Sequence, residues 1–317
     1  MNFGLDDDER DIRDAIRELL RRKVSLDVLR RSEYGAIDRE IWSTIADAGV
    51  FALRRAAGSG HGDFGTAVAA VVFEELGTAL VRGPLVGTYL AAGSSPDAAA
   101  GLRLVDVIER GTRTVANVSD LDELVVLDSD GVWAVPAGQI ASSPAAHPLD
   151  PLTPVFRIGE LPQGERVGDA DDATAWRRVG ATLTAALMVG IAREATDRAA
   201  TYARDRMQFG RAIGSFQAVK HLLADMVVRT ELARAATYAA AAVADDPSTG
   251  DLAAASAAAK VMAERAAFRN SKSYVQVMGG MGFTWEMPAH LFLKRAVVLA
   301  SEFGSSADHE QALAATL

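Results

Sequence analysis

The chain has 317 residues with a formal net charge of −9, a length that suggests about two domains. The acidic balance argues against non-specific nucleic-acid binding, which needs a basic surface. There is no cysteine, so disulfides, thiolate catalysis and Cys-ligated metal are excluded. Hydrophobic residues make up 49% and aromatics only 6%, which supports sizeable cores packed by small residues on helices.

The first segment reads as a helix. Asp6 and Glu9 have the spacing of a capping box, and Ile12, Ile16, Leu19 and Leu20 follow at helical intervals. Helical patterns recur over 41–48 and 66–78, and Gly49, Gly58, Gly60, Gly62 and Gly65 punctuate the gap between them. An all-helical domain is expected up to about Arg110. The texture then changes. The runs 114–118, 124–127 and 132–136 are short and apolar, and Asp128-Ser129-Asp130-Gly131 is a turn signal between the last two, predicting a hairpin. Prolines at 144, 148, 151, 154 and 162 then predict a small β or irregular region ending near Asp172. From Ala173 the pattern is helical again. One helix is expected to Arg206, a second over 216–243, a third over 251–278 and a fourth over 291–303, forming an antiparallel bundle. The fold class is therefore mainly α: an N-terminal helical domain over 1–111, a shortened β-rich middle over 112–172 and a C-terminal four-helix bundle over 173–317.

The acidic N-terminus lacks the basic and apolar regions of a signal peptide, and no apolar run approaches the ~18 residues of a membrane span. A cytoplasmic protein with no membrane segment is expected. The five histidines, at 61, 147, 221, 290 and 309, are too scattered to suggest a metal site.

The most informative stretch runs from Tyr202 to Gln217. Gly210 and Gly214 break one helix and open the next, with Arg206 beside the break and Gln217 in the first turn that follows. A guanidinium there can pair with a phosphate, and the second helix presents free N–H groups and a positive dipole end. Two readings stay open on spacing alone: a phosphate site, or a plain helix–turn–helix corner with a surface arginine.

This stretch resembles the signature of the flavin acyl-CoA dehydrogenases, Tyr…Arg-x-x-Phe-Gly…Ile…Phe/His-Gln. Gln276-Val277-Met278-Gly279-Gly280-Met281-Gly282-Phe283 is similar to a second motif of that family, and Glu286 and Pro288 keep its spacing. Phe3-Gly4-Leu5, 46–50 and 74–77 resemble its N-terminal landmarks. The resemblance implies FAD bound between subunits. By position, Arg206 and Gln217 match contacts to the pyrophosphate of the neighbouring subunit's FAD, and Phe209 the aromatic beside them. Gln276, Gly279 and Gly280 match contacts to the adenosine-diphosphate end. An acyl-CoA thioester would be the substrate, and an electron-transfer flavoprotein the acceptor.

Three departures qualify the match. The Thr-Glu-x-x-Ala-Gly-Ser-type segment that lies against the flavin ring has no equivalent over 112–172. The family's catalytic glutamate falls by count on Phe303, with Glu302 one residue away; on a helix that is ~100° of rotation, leaving Glu302 either a displaced base or a solvated glutamate. The alternative base position, on an earlier helix, falls on Gly180. The expectation is therefore a non-catalytic subunit. It resembles shortened actinobacterial chains that join a complete subunit, as a heterotetramer, to oxidise steroid-derived acyl-CoA. A homomeric dehydrogenase using Glu302 and a flavin-free acyl-CoA or partner-binding scaffold are the alternatives.

Overall fold

The computed structural model describes residues 7–54 and 64–316. Asp6, the Phe3-Gly4-Leu5 opening, Gly58, Gly60, Gly62 and His61 lie outside the described residues. Six helices come first: α1 (Asp7–Lys23), α2 (Leu26–Arg31), α3 (Arg39–Asp47), α4 (Thr66–Thr78), α5 (Leu85–Ala91) and α6 (Pro96–Ala99). The apolar stripe of α1 packs inward through Ile16 and Leu20, with acids in its first turn and bases in its last, as the helix dipole favours. Helix α4 is buried from Val68 to Gly77 and is apolar there except for Glu74 and Glu75.

Seven strands follow: β1 (Val105–Glu109), β2 (Thr114–Ala116), β3 (Glu123–Leu127), β4 (Val132–Pro136), β5 (Ser142–Pro144), β6 (Val155–Ile158) and β7 (Glu165–Gly168). They form a four-stranded sheet of order β1-β3-β4-β7 and a three-stranded sheet of order β2-β6-β5. The expected hairpin is present as β3 and β4, with Leu127 opposite Val132 and the Asp128 N–H donating to the Gly131 carbonyl at 2.9 Å. The all-helical reading up to Arg110 fails at β1. This β-branched run pairs in parallel with the buried β3, and that pairing lies outside the local sequence. The proline-rich stretch is more ordered than its composition suggests and supplies β5 and β6.

The long helix α7 (Ala170–Asp205) starts three residues before the expected Ala173, because Asp169 and Asp172 close a capping box. A small hairpin, β8 (Met207–Gln208) and β9 (Arg211–Ala212), leads into α8 (Gln217–Asp245), α9 (Leu252–Met278), α10 (Ala289–Ala300) and α11 (Ser306–Ala314). Helices α7 to α10 form the expected bundle, and α11 packs on α9. Fully buried alanines on α8 and α9 (Ala233, Ala240, Ala259, Ala263) bring the helices close. At the α4–α7 crossing the backbones touch: a β-carbon on Gly77 would strike the Leu187 carbonyl, and one on Gly190 the Glu74 carbonyl. Asn270 of α9 ties the bundle together by donating to Thr196 Oγ1 on α7 at 3.1 Å and to Thr230 Oγ1 on α8 at 2.9 Å.

Candidate functional site

The connectivity of the bundle decides where the motifs lie. Helices α7, α8 and α9 run up, down and up, so the C-terminus of α7, the N-terminus of α8 and the C-terminus of α9 share one end. Arg206, Phe209, Gln217, Gln276, Gly279 and Gly280 all sit at that end, and all are exposed. Arg206 caps α7 and makes no side-chain hydrogen bond or ion pair among the described residues. The predicted break between helices is the β8–β9 hairpin, whose two-residue tip, Phe209 and Gly210, has φ +52° and +78°. That sign at both positions matches the right-handed twist of a tight hairpin, and for phenylalanine it is unusual. The Phe209 ring is 90% exposed and meets Phe216 edge-on at 6.1 Å, while the Arg211 guanidinium lies 4.0 Å above the Phe216 ring. Helix α8 has no side-chain cap on its first amides, so these N–H groups stay available to an anion. At the end of α9, Gly279 adopts φ +60°, ψ −136°, a conformation that only glycine reaches readily, and no atom would meet a β-carbon on Gly279 or Gly280. Together these residues place a guanidinium, two amide side chains and bare backbone at one end of the bundle, donors of the kind that can bind a phosphate.

A second site lies toward the other end of the bundle. An outer chamber of about 300 Å³ opens between β1, β2 and the end of α10, lined by Asp106, Thr114, Ala116, Val298, Glu302 and Phe303 among others. An inner chamber of about 50 Å³ continues among α4, α5, α7 and α10, with apolar walls including Leu76, Leu80, Val86, Leu187 and Leu299. Asp106, Glu302 and Phe303 line both chambers. Asn117, Thr153 and Arg295 line the inner one. An apolar cleft with a few convergent polar groups is the usual form of a small-molecule site.

The two positions that the resemblance assigned to a base meet here. A β-carbon on Gly180 would collide with the Phe303 ring, so the ring fills the space that glycine leaves. The prediction that Glu302 would be rotated away by a helical step does not hold. Helix α10 ends at Ala300, Phe303 adopts φ +53°, and in the resulting turn both Glu302 and Phe303 reach the cavity. The buried Lys260 holds this turn by donating to the Ala300 carbonyl at 3.1 Å and the Gly304 carbonyl at 3.2 Å. A His309 ring nitrogen meets the Phe303 carbonyl at 2.9 Å.

Electrostatics in the cavity favour neutral acids. Burial pushes Glu302 up to about 8, and the nearby Asp106 pushes the same way against the attraction of Lys260 and Arg295. The Glu302 side chain keeps a partly accessible edge on the cavity, but its carboxyl group is screened from bulk water, and that screening governs its proton. Burial pushes Asp106 up to about 6, opposed by the Val107 N–H it accepts at 2.9 Å. Burial also pushes Lys260 down to about 8.

Sequence reasoning named Glu302 but missed Asp106, Asn117, Lys260 and Arg295. None of them carried a local signal, because Glu302 lies beyond the end of α10 and shares no helix face with Arg295. They come together through tertiary packing alone.

The helical N-terminal part, the two small sheets, the helical bundle and the cleft between them define an acyl-CoA dehydrogenase fold, and the chain belongs to the acyl-CoA dehydrogenase family. Residues 6–95 match the description "Acyl-CoA dehydrogenase, N-terminal domain", and residues 175–317 match "Acyl-CoA dehydrogenase, C-terminal domain". The chain is 34% identical over 270 residues to the acyl-CoA dehydrogenase IpdE2 of Mycobacterium tuberculosis, covering 82% of this chain and 80% of that protein. The crystal structure of the ChsE4-ChsE5 complex from the same organism superposes with a TM-score of 0.84 at 24% identity, over 99% of this chain and 98% of that one. The Tcur3481-Tcur3483 steroid ACAD G363A variant gives a TM-score of 0.84 at 22% identity, over 98% and 97%. At these identities the two structures speak for the fold. No helix among the described residues is long and apolar enough to cross a membrane.

Proposed function

We propose that this chain is a subunit of a heteromeric, FAD-dependent acyl-CoA dehydrogenase, in which it supplies phosphate contacts to a shared FAD while the partner supplies the catalytic base. One distance carries the proposal. Arg206 lies 26 residues beyond Gly180 on the continuous helix α7, which at 1.5 Å per residue separates the phosphate-binding end from the cavity by ~39 Å. No single dinucleotide can place its pyrophosphate at one of these points and its ring at the other. Each half-site therefore calls for a complementary half from another chain. The exposure of Arg206, Phe209, Gln217 and Gln276 fits that arrangement.

The donor set suits FAD. Arg206 and the first amides of α8 would hold the pyrophosphate, with Gln217 beside them. Gln276 and the backbone at Gly279 and Gly280 would lie along the adenosine-diphosphate end. When bound, FAD supplies the acceptor for the hydride leaving the β-carbon of the acyl chain. This chain's part is to fix the cofactor's charged end and to wall off a cleft from water. A carboxylate of the partner would take the α-proton. The customary base positions here carry Gly180 and Phe303, and neither can accept a proton. The names of the ChsE4-ChsE5 complex and the steroid ACAD support a steroid-derived acyl group and a heteromeric assembly, with a heterotetramer as the first stoichiometry to test. An electron-transfer flavoprotein is the acceptor expected of such a complex.

A second reading rests on Glu302, which reaches the cavity and is the nearest substitute for the missing base. Against it, burial raises Glu302 to about 8, so the ionised form a base needs is the minor one at neutral pH. Anaerobic flavin bleaching by acyl-CoA in the complex separates the two. The proposal expects Glu302→Gln to keep the bleaching rate within about tenfold. A loss of ~10²–10⁴-fold would assign the base to Glu302.

A further inference from the structure

Two residues that line the inner chamber each carry a buried polar atom with no hydrogen-bond partner. Arg295 is 7% exposed. Its Nε donates to Asp150 at 2.6 Å and its Nη1 to the Val81 carbonyl at 3.0 Å, but its Nη2 has no partner. Asn117 is 5% exposed, and its Oδ1 has no partner either. The two arise from different elements, α10 and the turn after β2, and both line the inner chamber. Buried groups of this kind are nearly always satisfied, because an unmet donor or acceptor keeps its full desolvation cost. A guanidinium N–H and an amide oxygen left unpaired beside one small chamber have complementary needs. One wants an acceptor and the other wants a donor.

We propose that the inner chamber receives a hydroxyl group carried on the acyl chain of the CoA thioester, with Arg295 Nη2 donating to its oxygen and Asn117 Oδ1 accepting its proton. The proposal rests on the acyl-CoA reading of the cleft and names its substrate class. The chamber's volume of about 50 Å³ exceeds the ~10–15 Å³ needed to admit one small polar group. A hydroxyl both accepts and donates at a single atom, so it answers both residues. A ketone oxygen would satisfy Arg295 and leave Asn117 unmet. A carboxylate would face the Asn117 oxygen and the acids Asp106 and Glu302 on the same lining. An ammonium would face the arginine. A bare hydrocarbon end would bury both orphans against CH₂ groups.

Asp150 holds Arg295 in place. It is fully buried, and besides the guanidinium it accepts from Thr153 Oγ1 at 2.8 Å and from the Leu152 N–H at 3.0 Å. Removing Arg295 would strand that carboxylate and endanger folding, so the test uses Asn117. Asn117 has φ +53°, which glycine adopts freely, so Asn117→Gly deletes the acceptor and keeps the backbone.

The experiment is calorimetric titration of the flavin-loaded complex of this chain and its partner subunit with medium-chain acyl-CoA thioesters of matched length, with and without a terminal hydroxyl. The hydroxylated thioester is expected to bind tighter by roughly tenfold or more. That preference is expected to vanish in Asn117→Gly while the variant keeps its melting temperature. Equal binding of the two thioesters by the native complex would overturn the hydroxyl proposal and leave the acyl-CoA reading intact. Binding of neither would overturn the acyl-CoA reading, and the proposal with it. A preference that survives unchanged in Asn117→Gly would overturn the assignment to this chamber.

Discussion

Two clusters of buried charge flank the crossing of α4 and α7, and they are built on opposite principles. In the first, Glu74 and Glu75 are each 1% exposed and fully partnered. Arg193 bridges both, at 2.8 Å and 2.7 Å; Arg17 reaches Glu75 at 2.9 Å, and Arg234 and Tyr238 reach Glu74 at 3.0 Å and 2.9 Å. Burial would raise Glu75, yet its hydrogen bonds from Arg193 and Arg17 hold it below the usual carboxylate range. In the second cluster, around the cavity, Glu302 and Asp106 are raised, and Asn117 and Arg295 each leave an atom unmet. A satisfied network joins elements, here α1, α4, α7 and α8. An unsatisfied one is stable only because the surrounding fold enforces it, and it marks where a ligand would complete the bonding.

Substitutions can break or sharpen this contrast. The largest effect belongs to the satisfied cluster. Glu74→Ala leaves Arg193 with Glu75 alone and Arg234 with Glu231 alone and strips the Tyr238 hydroxyl of its acceptor, and urea unfolding is expected to show a loss of about 3 kcal/mol. If the stability is unchanged, the network is not structural.

The cavity cluster is expected to respond in the opposite direction. Glu302 has its pKa raised by folding, from ~4.3 in the unfolded chain to about 8 in the native state. The native state thus binds the proton more tightly, and the group's unfavourable contribution grows as pH rises from ~4.3 toward 8. Glu302→Gln is expected to unfold like the native chain near pH 4 and to be more stable by about 2–4 kcal/mol at pH 9. Parallel urea titrations at the two pH values read the difference. A variant less stable at pH 9 would contradict the burial argument.

The exposed end of the bundle at Arg206 belongs to neither cluster, and substitution there is expected to leave stability alone. Arg206→Ala should weaken FAD retention in the assembled complex by roughly 1.5–3 kcal/mol, or about 10- to 150-fold, with an unchanged melting temperature. The smallest effect is at the hairpin tip. Phe209→Gly relieves the left-handed backbone, and the isolated chain is expected to gain up to about 1 kcal/mol in thermal unfolding. A loss of stability there would mean that the exposed ring packs within its own chain.

What the sequence revealed follows the same division. The bundle, the hairpin and the glycine-marked helix ends were legible because each is encoded in a contiguous run: apolar periodicity in α7 to α10, Asp128–Gly131 between paired strands, and Gly210 and Gly279 at forced backbone positions. Strand β1 was missed because its partner β3 lies beyond a second strand and a turn. The start of α7 was missed because Asp169 and Asp172 were read as loop. The polar lining of the cavity was invisible for a deeper reason. Asp106, Asn117, Arg295 and Glu302 come from a strand, a turn and the end of a distant helix, and no local pattern links them. The helical-rotation argument about Glu302 failed because α10 stops two residues earlier and a left-handed residue re-aims the turn.

The account depends above all on the chain holding two halves of different flavin sites. The decisive measurement is flavin content per chain, by visible absorbance, for the protein purified alone and for the protein co-expressed with a complete acyl-CoA dehydrogenase subunit. The account predicts no flavin in the lone chain and one flavin for each pair of unlike chains in the complex. A stoichiometric flavin in the lone chain would contradict it.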